Sequence, residues 1–210
     1  LSDSEWWFYL VSLTGLATLL VGAVLALFQT DLKGLLAYST ISHLGLITLL
    51  FGLDSPLANV AAIFHIINHA TFKASLFMAA GIIDHETGTR DMRRINGLWK
   101  YMPHTAVLAM VASLAMAGVP LLNGFLSKEM FFGEALFAPT QHPLTSLLMP
   151  IAAVIASAFA VTYSLRFIHG AFFGACRHRR GEKLEAHALF LSLSHFCGQG
   201  LVAPVRRPCG

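Results

Sequence analysis

The chain has 210 residues, of which 56% are hydrophobic and only 12% are charged, and its formal net charge is +3. Soluble domains carry about 25% charged residues, so this composition leaves too little polar surface to cover a globule in water. It excludes a disordered chain, a secreted disulfide scaffold and an ordinary cytosolic enzyme. It indicates an integral membrane protein, because the basic residues lie in short loops between apolar segments, as membrane topology requires.

Four uninterrupted apolar segments have the length of membrane crossings. A spanning helix needs about 20 predominantly apolar residues. The segments that meet this requirement, in chain order, are residues 6–28, 35–53, 57–83 and 144–168. We expect each of them to form one transmembrane helix.

A fifth apolar region, residues 103–138, is too long for one straight crossing. Its 36 helical residues would extend about 54 Å, against a hydrocarbon core of about 30 Å. Pro120 lacks an amide hydrogen, and glycines on both sides loosen the backbone. We predict one crossing of two half-helices, joined by an unwound link that contains Gly118, Pro120, Asn123 and Gly124. The predicted fold is therefore all-α, a polytopic membrane helix bundle of about five transmembrane helices, one of them broken.

The distribution of lysine and arginine supports a single crossing for residues 103–138. With five crossings, ten basic residues fall on one side of the membrane: Lys33, Arg90, Arg93, Arg94, Lys100, Arg166, Arg177, Arg179, Arg180 and Lys183. The loops of the other side carry none. The positive-inside rule then predicts that the N-terminal end lies outside and that the tail is cytoplasmic.

The third apolar segment carries polar residues at helical spacing. His65, His69 and Lys73 follow one another at intervals of four residues, so they share one helix face. A lysine at the bilayer centre costs about 2.5–3.5 kcal/mol on insertion scales, so such residues face a bundle interior or a wet cavity. Because histidine titrates near neutral pH, we expect this stripe to conduct protons or ions through bridging waters. The alternatives are a packed polar network between helices and a metal site at His65 and His69.

Three further ionisable residues extend the predicted path. Lys128 closely follows the break, which is typical of ion sites at unwound membrane helices, and its alternative role is that of a snorkelling interfacial lysine. His43 shares an arc of the second segment with two serines. It belongs either to the wet path or to a packed hydrogen bond between helices. Lys33 lies at the cytoplasmic mouth, where anchoring and gating are equally compatible with its position.

Several long stretches resemble the antiporter-like membrane proteins shared by respiratory complex I and Mrp-type sodium/proton antiporters. These stretches are QTDLKGLLAYSTISHLG (29–45), IFHIINHATFKASLFMAAG (63–81) and GVPLLNGFLSKE (118–129). Two stretches specifically resemble the large A-type subunit of the Mrp antiporters, namely DHETGTRDMRRINGLWKYMPHTA (84–106) and SKEMFFGEAL (127–136). The resemblance covers residues 1–174.

The resemblance implies a fold of two inverted five-helix repeats, each with one broken helix. Residues 1–174 are similar to the second of these repeats, and the first repeat is absent from the chain. We therefore expect the chain to be a fragment of a longer protein. Residues 175–210 do not match the family, and we interpret them as an atypical tail that is either frameshifted or disordered.

The resemblance also implies roles for individual residues. Lys128 matches the broken-helix lysine of the family's proton path, and the relay on the neighbouring helix matches Lys73, His65 and His69. Lys33 matches a lysine near the entrance of the path in complex I relatives. His43 stands where those relatives often have glutamine.

The sequence thus predicts a non-enzymatic, proton-translocating membrane subunit of a multisubunit Na⁺/proton antiporter that uses a buried Lys/His relay. The alternative is a proton-pumping membrane subunit of an NADH–quinone oxidoreductase or a membrane hydrogenase. A purely structural anchor has no need of lysines at lipid depth. We expect no cofactor, no metal and no nucleic-acid partner. The expected partners are other membrane subunits, lipid, protons and monovalent cations, in a bacterial inner membrane.

Overall fold

The computed structural model describes residues 5–53, 55–137 and 143–173. In chain order the helices are α1 (Glu5–Phe28), α2 (Leu32–Gly52), α3 (Pro56–Thr87), α4 (Pro103–Ala117), α5 (Asn123–Phe137) and α6 (Pro143–Phe172). A short 3₁₀ helix, Leu98–Lys100, precedes α4, and an isolated β-bridge joins Asp31 to Asp91. The predicted tail, residues 175–210, lies outside the described residues.

The helix ends follow from local sequence. The Asp31 side chain caps α2 by accepting a hydrogen bond from the Lys33 amide at 2.9 Å. Ser55 caps α3 in the same way, with Pro56 in the first turn, where its missing amide hydrogen costs nothing. Helix α3 ends at Thr87, and the following residue, Gly88, adopts the left-handed conformation that glycine tolerates best.

The helices confirm the predicted polytopic membrane bundle. Among the described residues, four helices are long and apolar enough to cross a membrane, namely α1, α2, α3 and α6, and α4 is a shorter apolar helix. Together α4 and α5 occupy the region predicted as one broken crossing. The chain is a multi-pass membrane protein.

The break between α4 and α5 covers residues 118–122, which is shorter than predicted. Gly118 ends α4 with a φ of 83°, and the amide of Val119 donates to the Leu114 carbonyl at 3.1 Å. Asn123 and Gly124, predicted as part of the unwound link, are instead the first residues of α5. Gly124 serves close packing, since a Cβ there would collide with the carbonyl oxygen of Ala115 on α4.

Two buried apolar clusters lie on either side of the middle of the bundle. One contains residues of α2 and α3 that come before Ser39 and after His69, such as Leu36 and Leu76. The other contains Leu46 and later residues of α2, and Ala62 and earlier residues of α3. Because α2 and α3 contribute to both clusters, the residues between them are held at mid-helix in the bundle interior.

Glycines bring α1 and α2 into backbone contact. A Cβ added at Gly15 would lie 2.5 Å from the Leu49 amide nitrogen, and a Cβ at Gly22 would lie 2.6 Å from that of Ser42. On α2, a Cβ at Gly45 would collide with the amide nitrogen of Leu19. Close approach of helices through small residues is the usual packing mode in membranes.

Gly22→Ala is expected to destabilise the protein, because the added methyl group has no space between α1 and α2. Overpacking of this kind costs about 1–3 kcal/mol. Gly81→Ala is the matched control, since Gly81 is also helical and a Cβ there meets no atom within 4 Å. Thermal melting of the full-length protein in detergent measures both effects. Equal melting temperatures for the two variants would contradict the backbone contact.

Candidate functional site

The polar stripe of α3 faces the bundle interior. His65, His69 and Lys73 are all buried, whereas Ile63 and Ile67, on the opposite side of the helix, are 55% and 60% exposed. The structure therefore places the three polar residues on the inner face, as the spacing of four residues indicated. The Nε2 atom of His69 has no hydrogen-bond partner within the described ranges.

His43 of α2 joins the stripe to form a cluster of three imidazoles. Its Nδ1 atom lies 3.0 Å from Nε2 of His65, and the two rings are nearly parallel, with centroids 5.2 Å apart. The ring of His69 lies 5.3 Å from that of His43. Two neighbouring helices thus supply three titratable rings in mutual contact.

Lys73 is held by α2 rather than by a counter-ion. Its Nζ donates to the carbonyl oxygen of Leu36 at 3.1 Å and to the hydroxyl of Ser39. The latter oxygen belongs to a wholly buried side chain. The amine is therefore solvated by neutral oxygens inside the bundle.

Lys128 of α5 reaches back across the break to the end of α4. Its Nζ donates to the carbonyl oxygen of Ala117 at 2.7 Å. The last carbonyls of a helix lack intrahelical partners and carry the negative end of the helix dipole, so this contact stabilises a positive amine. Gly118 makes the contact possible, because a Cβ at that position would lie 2.6 Å from Cδ of Lys128.

The stripe of α3 is also joined to α5 by two polar contacts. Nδ1 of His65 lies 2.5 Å from the hydroxyl oxygen of Ser127. Asn123 donates from Nδ2 to Oδ1 of Asn68 at 3.2 Å, and Asn68 donates from Nδ2 to the backbone oxygen of Asn123 at 3.4 Å. These contacts fix the start of α5, and hence Lys128, against α3.

Tyr163 of α6 and Ser127 of α5 belong to the site although the sequence did not single them out. The hydroxyl of Tyr163 lies 3.2 Å from Nε2 of His43. A small cavity of about 10 Å³, roughly the space of one water molecule, is lined by Tyr163, His43 and Lys128. In the sequence, Tyr163 lies five residues before the end of the apolar segment 144–168, so its position did not distinguish it from an interfacial tyrosine.

Lys33 lies apart from the other predicted site residues. Its Nζ forms an ion pair with Asp84 at 2.6 Å, and Arg90 binds the same carboxylate at 3.0 Å. Along α3, Asp84 is eleven residues from Lys73, which corresponds to about 16 Å of helix. The intervening buried residues are apolar ones such as Leu76 and Ile83. The structure thus places Lys33 in a charged cluster at the end of the bundle.

The polar groups of the site are hydrogen-bond donors and acceptors. In the part of the chain that the structure describes, no group of three or more His, Cys, Asp or Glu side chains could hold a metal ion. Imidazoles, hydroxyls and amines in chains of hydrogen bonds can donate and accept protons. Contacts between such groups join α6 to α2, α2 to α3 and α3 to α5.

Comparison with known proteins assigns the fold to a family. A family model described as "NADH:quinone oxidoreductase/Mrp antiporter, TM" matches residues 1–163. Over 174 residues the chain is 71% identical to a probable K⁺/H⁺ antiporter A/B subunit of Rhizobium meliloti (strain 1021), and the alignment covers 83% of this chain and 17% of the relative. Over 199 residues it is 45% identical to the Na⁺/H⁺ antiporter A subunit of Bacillus subtilis (strain 168), covering 88% of this chain and 25% of the relative.

Solved structures give the same result. One chain of the Mrp complex from Dietzia sp. DQ12-45-1b is 44% identical, with a TM-score of 0.76, and the match covers 85% of this chain and 20% of that one. A chain of the membrane-bound sulfane sulfur reductase, an archaeal respiratory membrane complex, is 30% identical, with a TM-score of 0.74, covering 89% of this chain and 36% of that one. The resemblance to the large A-type Mrp protein is confirmed. The chain belongs to the NADH:quinone oxidoreductase/Mrp antiporter transmembrane family.

Proposed function

We propose that this chain is the second five-helix repeat of a proton-translocating membrane subunit, in a multisubunit complex that exchanges protons for a monovalent cation. The proposed proton carriers are Lys128 and a relay made of Lys73, His65, His69 and His43. Lys33, in its ion pair with Asp84, would bring charge to the cytoplasmic end of the path.

The observation that carries the proposal is a pair of buried lysines without carboxylate partners. Among the described residues, Lys73 and Lys128 donate to neutral oxygens, and no Asp or Glu lies within salt-bridge distance of either. A buried charge without a counter-charge is costly, and it is retained in membrane proteins chiefly at ion and proton pathways. An amine that gains and loses a proton avoids holding that charge permanently.

The relatives support an antiporter and two candidate cations. The relative at 71% identity is named for K⁺/H⁺ antiport, and the relative at 45% identity is named for Na⁺/H⁺ antiport. A chain of an archaeal respiratory membrane complex is also similar, at 30% identity, which keeps the respiratory role as the second candidate. The antiporter is favoured because its relatives are more similar over a comparable share of this chain.

Orientation is proposed from charge alone. The loop that joins α3 to α4 contains Arg90, Arg93, Arg94 and Lys100, and the positive-inside rule places it in the cytoplasm. The start of α3 would then lie outside, as would the N-terminal end of the chain.

Cysteine labelling of intact cells tests this orientation. We expect an impermeant thiol reagent to modify Pro56→Cys at the exposed start of α3 and to leave Arg93→Cys unmodified until the cells are opened. Both variants are made in the full-length protein after its native cysteines have been replaced. The reverse labelling pattern would overturn the orientation.

Lys128→Ala is expected to abolish cation-driven proton flux in the assembled complex, because the path then lacks its amine at the break. Lys128→Arg should also fail, since arginine stays protonated at all accessible pH values. Lys100→Ala, at an exposed lysine, is the matched control and should transport normally. Flux in reconstituted vesicles is divided by the amount of assembled complex. Wild-type flux in Lys128→Ala would refute the proposed function.

The stripe on α3 makes a separate prediction. If His69 and Lys73 carry protons in series, His69→Gln should reduce normalised flux strongly, because glutamine forms hydrogen bonds but does not titrate. The double variant with Lys73→Ala should be little worse than the worse single variant. Ser75→Ala is the control, since this exposed hydroxyl bonds only to its own helix at Thr71. Unchanged flux with a lowered melting temperature would instead show a purely structural network.

A further inference from the structure

Four buried side chains form one continuous line of hydrogen bonds across the bundle. The Tyr163 hydroxyl lies 3.2 Å from Nε2 of His43, Nδ1 of His43 lies 3.0 Å from Nε2 of His65, and Nδ1 of His65 lies 2.5 Å from the hydroxyl of Ser127. None of the four is more than 3% exposed. The line connects α6, α2, α3 and α5 in that order, and we refer to it as the transverse chain.

Hydrogen-bond chemistry allows two arrangements in which all three contacts of the transverse chain have one donor and one acceptor. A neutral imidazole has one donor nitrogen and one acceptor nitrogen, and a hydroxyl can donate or accept. In the forward arrangement Tyr163 donates to His43, His43 donates from Nδ1 to His65, and His65 donates from Nδ1 to Ser127. In the reverse arrangement Ser127 donates to His65, and both histidines donate from Nε2, so Tyr163 accepts. In each arrangement His43 and His65 must have the same tautomer.

The cavity beside Tyr163 supplies what the reverse arrangement needs. When Tyr163 accepts from His43, its own hydroxyl hydrogen requires another acceptor. The cavity of about 10 Å³ that Tyr163 shares with Lys128 has room for roughly one water molecule. A water there can accept from Tyr163 in a cavity that Lys128 also lines.

We propose that the transverse chain is a reversible proton wire in which Tyr163 and Ser127 are the terminal proton carriers that set its direction. This inference rests on the proposed function, because it concerns the relay of the same transporter. In one passage a proton enters at the Tyr163 oxygen from the cavity side, and each hydrogen of the forward arrangement moves to its acceptor. Ser127 then gives its original hydroxyl proton to a water molecule, which is the acceptor at this end of the transverse chain. One proton enters, one leaves, and the chain is left in the reverse arrangement.

Removing the hydroxyl at either end of the transverse chain is expected to favour opposite tautomers of the two histidines. Tyr163→Phe keeps the ring but removes the hydroxyl, so the reverse arrangement would bury an unpaired Nε2–H of His43. An unpaired acceptor is tolerated better than an unpaired N–H, so this variant should hold both histidines as Nδ1–H tautomers. Ser127→Ala removes the acceptor of the Nδ1–H of His65. By the same reasoning it should hold both histidines as Nε2–H tautomers.

The experiment records ¹⁵N solid-state NMR spectra of ring nitrogens in the full assembled complex, with signals assigned from His43→Gln and His65→Gln. In the unmodified complex the two histidines should share one tautomer at any moment, and the two variants should show opposite tautomers. Normalised flux should fall about tenfold in both variants, the rate change expected when one buried hydrogen bond is lost. Tyr38→Phe is the control, because this partly buried phenol has no hydrogen bond among the described residues.

The results that overturn the wire are specific to it. Different tautomers at His43 and His65 in the unmodified complex would refute it, even if neither variant folds. The same tautomers in Tyr163→Phe and Ser127→Ala, or wild-type flux in both, would also refute it. Loss of flux in Lys128→Ala together with any of these results leaves the proposed function in place and removes only the transverse chain.

Discussion

The hydrogen bond from the Lys128 amine to the Ala117 carbonyl is the interaction on which the rest of the site depends. It exists because Gly118 ends α4 at mid-bundle and leaves space for the lysine side chain. The broken backbone thereby gains a donor for a carbonyl that a continuous helix would have satisfied. Ser127 directly precedes Lys128 on α5. The break therefore positions both the lysine amine and one end of the transverse chain.

The apolar clusters on both sides of the polar residues determine the direction in which contacts run. Along the helix axes the interior is filled by residues such as Leu36 and Leu76 on one side and Leu46 and Ala62 on the other. The polar side chains between the two apolar clusters therefore form their contacts with neighbouring helices, across the bundle rather than along the helix axes. Lys33 lies with Asp84 and Arg90 beyond one apolar cluster. That cluster separates the charged end of the bundle from the buried histidines.

Periodicity and length were sufficient to predict most of the fold. Apolar runs indicated the crossings, and Pro120 with its flanking glycines indicated the break, since these residues act on their own backbone. The inner face of α3 followed from the spacing of His65, His69 and Lys73. Contacts between helices could not be derived in this way. Tyr163 in an apolar segment, and Gly124 as a packing residue rather than part of the link, depend on which helices meet.

Proton transfer through this site requires the buried lysines to change protonation state. ¹⁵N NMR of lysine side-chain nitrogens in the assembled, reconstituted complex reports this directly, because neutral and protonated amines give different signals. We expect both forms of Lys73 and Lys128 over the pH range in which transport proceeds. Ammonium signals alone from Lys73 and Lys128 over that whole range would contradict a relay that runs through them.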